Sequence, residues 1–111
     1  MDPDDVPSIP AADVPDDALV LDVREPHEWV AGHAPGALHI PLSELTARTA
    51  EVPQDGPVAV VCHLGGRSSR AVAWLQAQGW TSTRNVEGGM EAWARAGRPL
   101  VSEDGREPRV V

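Results

Sequence analysis

One stretch limits what this chain can fold into: residues 58–78, VAVVCHLGGRSSRAVAWLQAQ. It opens with four apolar, valine-rich residues, 58–61, too few for a helix, and this predicts a buried strand. Cys62, the single cysteine, stands where that strand ends. His63, Leu64, Gly65 and Gly66 make a tight turn, and Arg67-Ser68-Ser69-Arg70 opens a helical pattern. Val72 and Leu75 share one face of that helix, and Gly79 supplies its stop. A thiol is thus placed between a strand end and a helix start. Backbone N–H groups are unpaired there and the helix dipole adds partial positive charge, which favours a thiolate and an anionic substrate beside it. Strand carboxyl ends are also where open α/β sheets bind ligands. A lone cysteine is more often a small buried hydrophobe than a nucleophile. The flanking glycines and the strand–turn–helix setting reverse that default.

Around this unit, strands alternate with helices. Residues 1–6 have the acidic, proline-bearing look of a frayed end. Strands are predicted at 7–9, 18–23, 37–40 and 83–86, besides 58–61. Leu19-Val20-Leu21 is continuously apolar, as in a sheet covered on both faces. Residues 11–17, with Pro15 and three aspartates, read as a turn or short helix. A helix at 25–31 has Pro26 in its first turn and Gly32 at its end. Ser43 is placed to cap a helix over 44–50. Glu87-Gly88-Gly89 predicts a tight strand-to-helix turn. The helix after it, 89–96, puts Met90 and Trp93 on one face and stops at Gly97 and Pro99. Residues 101–111 show no period and predict a loosely packed tail. The pattern is that of one α/β domain over 7–100, a mostly parallel sheet with helices on both faces.

The net charge of −8 argues against nucleic acid or an anionic membrane as partner, since phosphate binding needs basic patches. All nine basic residues are arginine. One cysteine rules out an internal disulfide, and no apolar segment suits a membrane span or a leader. The expected location is a reducing cytoplasm, which keeps Cys62 a thiol.

Four segments together resemble a known family, the single-domain rhodanese-like sulfurtransferases. They are Leu21-Asp22-Val23-Arg24-Glu25 with Glu28-Trp29; Gly32-His33-Ala34-Pro35-Gly36-Ala37 with His39-Ile40-Pro41; Cys62-His63-Leu64-Gly65-Gly66-Arg67-Ser68; and Asn85-Val86-Glu87-Gly88-Gly89-Met90 with Ala92-Trp93. They run in register over roughly residues 5–100. The resemblance implies a five-stranded sheet of order 1-5-4-2-3 flanked by helices. It implies that Cys62 carries sulfur as a persulfide, and that His63, Leu64, Gly65, Gly66, Arg67 and Ser68 surround it and bind substrate. It places Asp22 and Arg24 near that loop as its supports. It implies no metal and no organic cofactor. The partners would be a small sulfur donor, such as thiosulfate or a persulfide, and a cyanide or thiol acceptor, with a sulfur-accepting protein as a further candidate. One departure stands out: His63 occupies the position where many thiosulfate-using members carry a basic residue.

The chemistry follows from the residues as well. Sulfur transfer needs a thiolate that attacks a sulfane sulfur and expels an anion. A ring of N–H donors stabilises thiolate, persulfide and leaving-group charge alike. Gly65 and Gly66 are expected to supply the positive φ angles or close approach that such a ring requires. Arg67 has two open readings, into the mouth towards an anionic donor or away towards a carboxylate. Asp22 and Arg24, at a strand carboxyl end, read as a structural ion pair or as hydrogen bonds that hold the loop rather than as acid–base groups. Three rival readings remain. A phosphatase or arsenate reductase loop carries five residues between cysteine and arginine, whereas four lie between Cys62 and Arg67. A non-enzymatic module on the same fold would have little use for a retained cysteine. A metal site built from His27, His33, His39, His63 and Cys62 lacks the spacing of any short zinc motif, and His33 and His39 read as turn and packing residues.

Overall fold

The computed structural model describes residues 1–111. Five strands, β1 (Ser8–Pro10), β2 (Leu19–Asp22), β3 (Leu38–His39), β4 (Val58–Val61) and β5 (Thr83–Glu87), form one sheet. Their order is β1-β5-β4-β2-β3 and every pairing is parallel. Four helices cross between or follow the strands: α1 (Pro26–Ala31), α2 (Leu45–Arg48), α3 (Gly66–Ala77) and α4 (Gly89–Arg95). The expected class and strand order are those observed.

β4 lies at the centre of the sheet and all four of its residues are buried. Val58 and Val60 join Leu21, Ile40, Leu45, Val72 and Leu75 in one core layer. Ala59 and Val61 join Val20, Val86, Met90 and Trp93 in the other. Side chains alternate between the faces of a strand, so a strand covered on both faces is apolar at every position. That is the physical origin of the Val-Ala-Val-Val run. α1 is the best-capped helix. Glu25 and Glu28 form a reciprocal capping box, and Pro26 sits in the first turn.

Three expectations need correction. The helix over 44–50 is broken into a 3-10 turn (Leu42–Glu44), the single turn of α2, and a second 3-10 turn (Thr49–Glu51). Ser43 lies inside the first of these and caps nothing. The Thr49 hydroxyl donates to Leu45 O at 2.6 Å, a local bond that competes with a longer helical ladder. The N-terminus is not merely frayed. Asp2 caps a 3-10 turn by accepting from the Asp4 amide at 2.9 Å, and Val6 packs on the α3-side core.

The tail is ordered against α1. Val101 pairs antiparallel with His33, the Glu103 amide donates to Val30 O at 2.9 Å, and the Arg109 amide donates to Ala31 O at 3.0 Å. Val110 packs on the α4-side core. The last turn of a helix leaves carbonyls without intrahelical partners, and the tail's amides take them. Isolated contacts of this kind have no period and leave no pattern in a sequence.

Gly32 is where the tail comes closest. It has an extended φ of 178°, open to any residue, but a Cβ there would overlap Arg109 O. Gly32→Ala is therefore expected to expel residues 101–111 from α1 and lower the melting temperature. Hydrogen exchange checks this: protection should vanish at the Val101 and Arg109 amides and persist in β4. Unchanged protection at both amides would show that the tail is not held by this contact.

Candidate active site

The loop from Cys62 to Arg67 is wound around a sulfur atom. The Gly65 amide donates to Cys62 Sγ at 3.1 Å, and Ser68 Oγ lies 3.3 Å from it. The amides of Ser68 and Arg67, at the start of α3, also favour its charged form. Burial pushes the Cys62 thiol up, but the bonds from the Ser68 hydroxyl and from the amides of Ser68, Gly65 and Arg67 outweigh it. The thiol is held below its ordinary value, so the charged form is more accessible than in a free cysteine.

The outer side of the loop is fixed by α4. The Met90 amide donates to Cys62 O at 2.8 Å and the Glu91 amide to His63 O at 3.2 Å. This approach is close enough that a Cβ on Gly89 would overlap both carbonyls. Gly88 and Gly89, with φ of 75° and 59°, make the turn that brings the amides there. The expected tight strand-to-helix turn is thus present. Of the two loop glycines, only Gly65 meets its expectation, with φ of 115°. Gly66 has no positive φ, and a Cβ there would meet open space, so the backbone does not require glycine at that position.

Cys62 floors an open depression of ≈ 460 Å³ whose lining includes His63, Leu64, Gly66, Arg67 and Arg70. A second depression of ≈ 460 Å³ lies at the amino ends of β2 and β4, with no cysteine, histidine or carboxylate in its lining. The first is the one equipped for chemistry. Leu64 stands at the mouth, 66% exposed. The His63 ring meets Glu91 at 2.9 Å. Arg67 turns to a carboxylate: Nη1 and Nη2 donate to Glu28 Oε1 and Oε2 at 2.7 and 2.9 Å. Arg70, one turn further along α3, lines the mouth and joins no ion pair.

Asp22 and Arg24 are fully buried. Arg24 Nε and Nη2 donate to the Asp22 carboxylate, and Nη2 also donates to Gly32 O at 2.7 Å. None of these bonds reaches residues 62–68. The pair clamps the end of β2 to the end of α1, and the Arg24 charge also helps to lower Glu28, the partner of Arg67. The histidines do not gather around Cys62. His33 and His39 stack on Trp29, with ring centroids 3.5 and 4.7 Å from it, which is the packing role expected of them.

Three residues escape the sequence reading. Glu28 and Glu91 anchor Arg67 and His63. Asn85, buried on β5, bonds Ser68 Oγ at 2.5 Å, Ser69 Oγ at 2.9 Å and Gly65 O at 3.3 Å. Asn85 and Glu28 both fall within the family-like segments, but their partners lie 16 to 39 residues away and no local spacing announces them.

The Arg67 guanidinium, opposed in part by burial, lowers the Glu28 carboxyl from 4.5 to about 2. A depressed carboxylate contributes stability above its ordinary value and loses it as pH falls towards the lowered one. Arg67→Ala should therefore be less stable than the wild type at pH 7, because it strands a carboxylate whose side chain is only 8% exposed. Denaturant midpoints across pH should show this gap closing between 4.5 and about 2. A gap independent of pH would mean that the ion pair is not its source.

Comparison with known proteins agrees with the geometry. The family model described as "Rhodanese-like domain" matches residues 9–96. A sulfurtransferase from Allochromatium vinosum is 40% identical over 90 residues, covering 81% of this chain and 84% of the relative. The crystal structure of a rhodanese-related protein from Thermoplasma volcanium superposes with a TM-score of 0.80 at 39% identity, covering 86% of this chain and 97% of that one. An NAD-dependent persulfide reductase from A. fulgidus matches at a TM-score of 0.68 and 34% identity, over 79% of this chain but only 16% of its own length. The chain belongs to the rhodanese-like domain family.

Proposed function

We propose that this protein is a sulfurtransferase that moves a sulfane sulfur through a persulfide on Cys62. The observation that carries the reading is the sulfur cradle: amide and hydroxyl donors converge on Sγ and lower its pKa. In the first step the Cys62 thiolate attacks the sulfane sulfur of an anionic donor, thiosulfate or a persulfide or polysulfide. The donor's S–S bond breaks and its electron pair leaves with sulfite or with the donor thiolate. In the second step a cyanide or thiol acceptor attacks the outer sulfur, and Cys62 departs as thiolate. No bond in either step calls on a metal or an organic cofactor. The loop amides serve the charge at each stage, because the thiolate and the outer sulfur of the persulfide stand within one S–S bond of each other. Arg70 supplies positive charge at the mouth.

The relatives support this chemistry. One is named a sulfurtransferase, and another is named for persulfide reduction. The shorter cysteine-to-arginine loop suits one sulfur atom better than a tetrahedral oxyanion. A reducing cytoplasm is the proposed setting; no helix is long and apolar enough to cross a membrane.

Intact-protein mass measurement after incubation with thiosulfate or a polysulfide should show the gain of one sulfur atom. Cyanide or a thiol should remove it, and Cys62→Ser should remain folded and gain none. Gly65→Val should suppress loading, since the substitution imposes on valine a φ of 115° that it rarely adopts, whereas Gly66→Ala should load normally. A folded wild type that gains no sulfur from thiosulfate, mercaptopyruvate or polysulfide would overturn the enzymatic reading in favour of a binding module.

A further inference from the structure

Ser68 Oγ stands between two acceptors. It lies 2.5 Å from Asn85 Oδ1 and 3.3 Å from Cys62 Sγ. A hydroxyl has a single proton to donate, so it serves one of them at a time. The Asn85 amide cannot relieve the conflict by flipping. Its Nδ2 donates to Ser69 Oγ at 2.9 Å and to Gly65 O at 3.3 Å, while Ser69 Oγ gives its own proton to Gly65 O at 2.7 Å. A flipped amide would set Oδ1 against that carbonyl. The atom facing Ser68 is therefore an acceptor, and both side chains are buried, at 0% and 8% exposure.

The charge on sulfur decides where the proton goes. When Cys62 is a thiol, its S–H donates to Ser68 Oγ and Ser68 donates to Asn85. When Cys62 is a thiolate, the charged sulfur is the stronger acceptor, the hydroxyl turns to it, and Oδ1 is left facing lone pairs. We propose that Asn85 is a positioning residue that competes with Cys62 for the one proton of Ser68, and so limits how firmly the loop holds the thiolate. Its use rests on the sulfurtransferase reading. A thiolate that is bound less tightly is the better nucleophile, because nucleophilicity falls as pKa falls. Once sulfur is loaded, the charge moves to the outer sulfur, the proton returns to Asn85, and the loop amides are left for the new anion.

The other charged groups around Cys62 stay the same in the variants compared. They are Arg67 of α3 with Glu28 of α1, His63 of the loop with Glu91 of α4, Arg70 at the mouth, and the Asp22–Arg24 pair at the end of β2.

The test is the pH profile of Cys62 alkylation by iodoacetamide, which needs no sulfur donor. Ser68→Ala removes a donor and should raise the midpoint. Asn85→Ala removes the competitor and should lower it by roughly half a unit, about a threefold change in ionisation constant. Asn85→Val, suited to a strand, tests the same point if the alanine variant folds poorly. Asn85→Asp, which strengthens the competitor and adds negative charge, should raise the midpoint. In a Ser68→Ala background the Asn85→Ala shift should vanish. A residue that merely held the loop together would give the opposite result: midpoints that rise in both Asn85→Ala and Asn85→Val, or a shift that survives without Ser68. Either outcome overturns the proposal. Sulfur loading by mass, run in parallel, separates the two claims: a wild type that fails to load sinks the sulfurtransferase reading and leaves the titration result for Asn85 unaffected.

Discussion

The carbonyls of Cys62 and His63 are tied to the first amides of α4, and the direction in which the first peptide units of the loop face depends on that tie. A trans peptide is planar, so fixing an oxygen on one side sends the N–H of the same unit to the other. A turn pinned in this way cannot fold its carbonyls inward over a thiolate. The tie requires a backbone with no side chain at Gly89, and a left-handed turn through Gly88 and Gly89 to deliver it. It also requires that the strand feeding α4 run beside the strand feeding the loop. Parallel pairing of β4 and β5 provides this, and the same neighbour strand brings Asn85 to Ser68. One strand thus supports the loop from two directions, by backbone through α4 and by side chain through Asn85. Each such bond contributes only about 0.5–1.5 kcal/mol net, so their importance is directional more than energetic.

How much of this was legible in the sequence depends on range. β4 and its place in the core could be read because burial on both faces leaves an unbroken apolar run. The position of Cys62 could be read because a strand end, a glycine turn and a helix start follow one another in the chain. Gly65 and Gly66 are chemically identical there, and only the φ angle separates the one that must be glycine from the one that need not be. Glu28 meets Arg67 across 39 residues, and the tail meets α1 across more than 60. Such pairings are products of the finished fold, and no spacing encodes them. Asp22 and Arg24 show the intermediate case. Their pairing was foreseeable from two-residue spacing at a strand end, but their second contact, with Gly32 O, was not.

The electrostatics of the mouth differ from what its composition suggests. Arg67 is the arginine that closes the loop, yet its two terminal nitrogens are engaged by a buried carboxylate, so the pair presents little net charge to an approaching donor. Positive potential must then come from the loop amides, from the α3 dipole and from Arg70. The first two act only within a turn or so of the sulfur. Arg70 acts from the mouth and is screened over about 8–10 Å at ordinary ionic strength. On a chain of net charge −8, such a short-ranged field gives a small anion no attraction until it is at the mouth. In the proposed sulfur transfer, the cradle therefore distinguishes a substrate by the sulfur it can hold and the charge that sulfur carries in the transition state, with long-range steering contributing little. Selection of that kind rewards a donor with an accessible sulfane sulfur, whatever the bulk of the group that leaves.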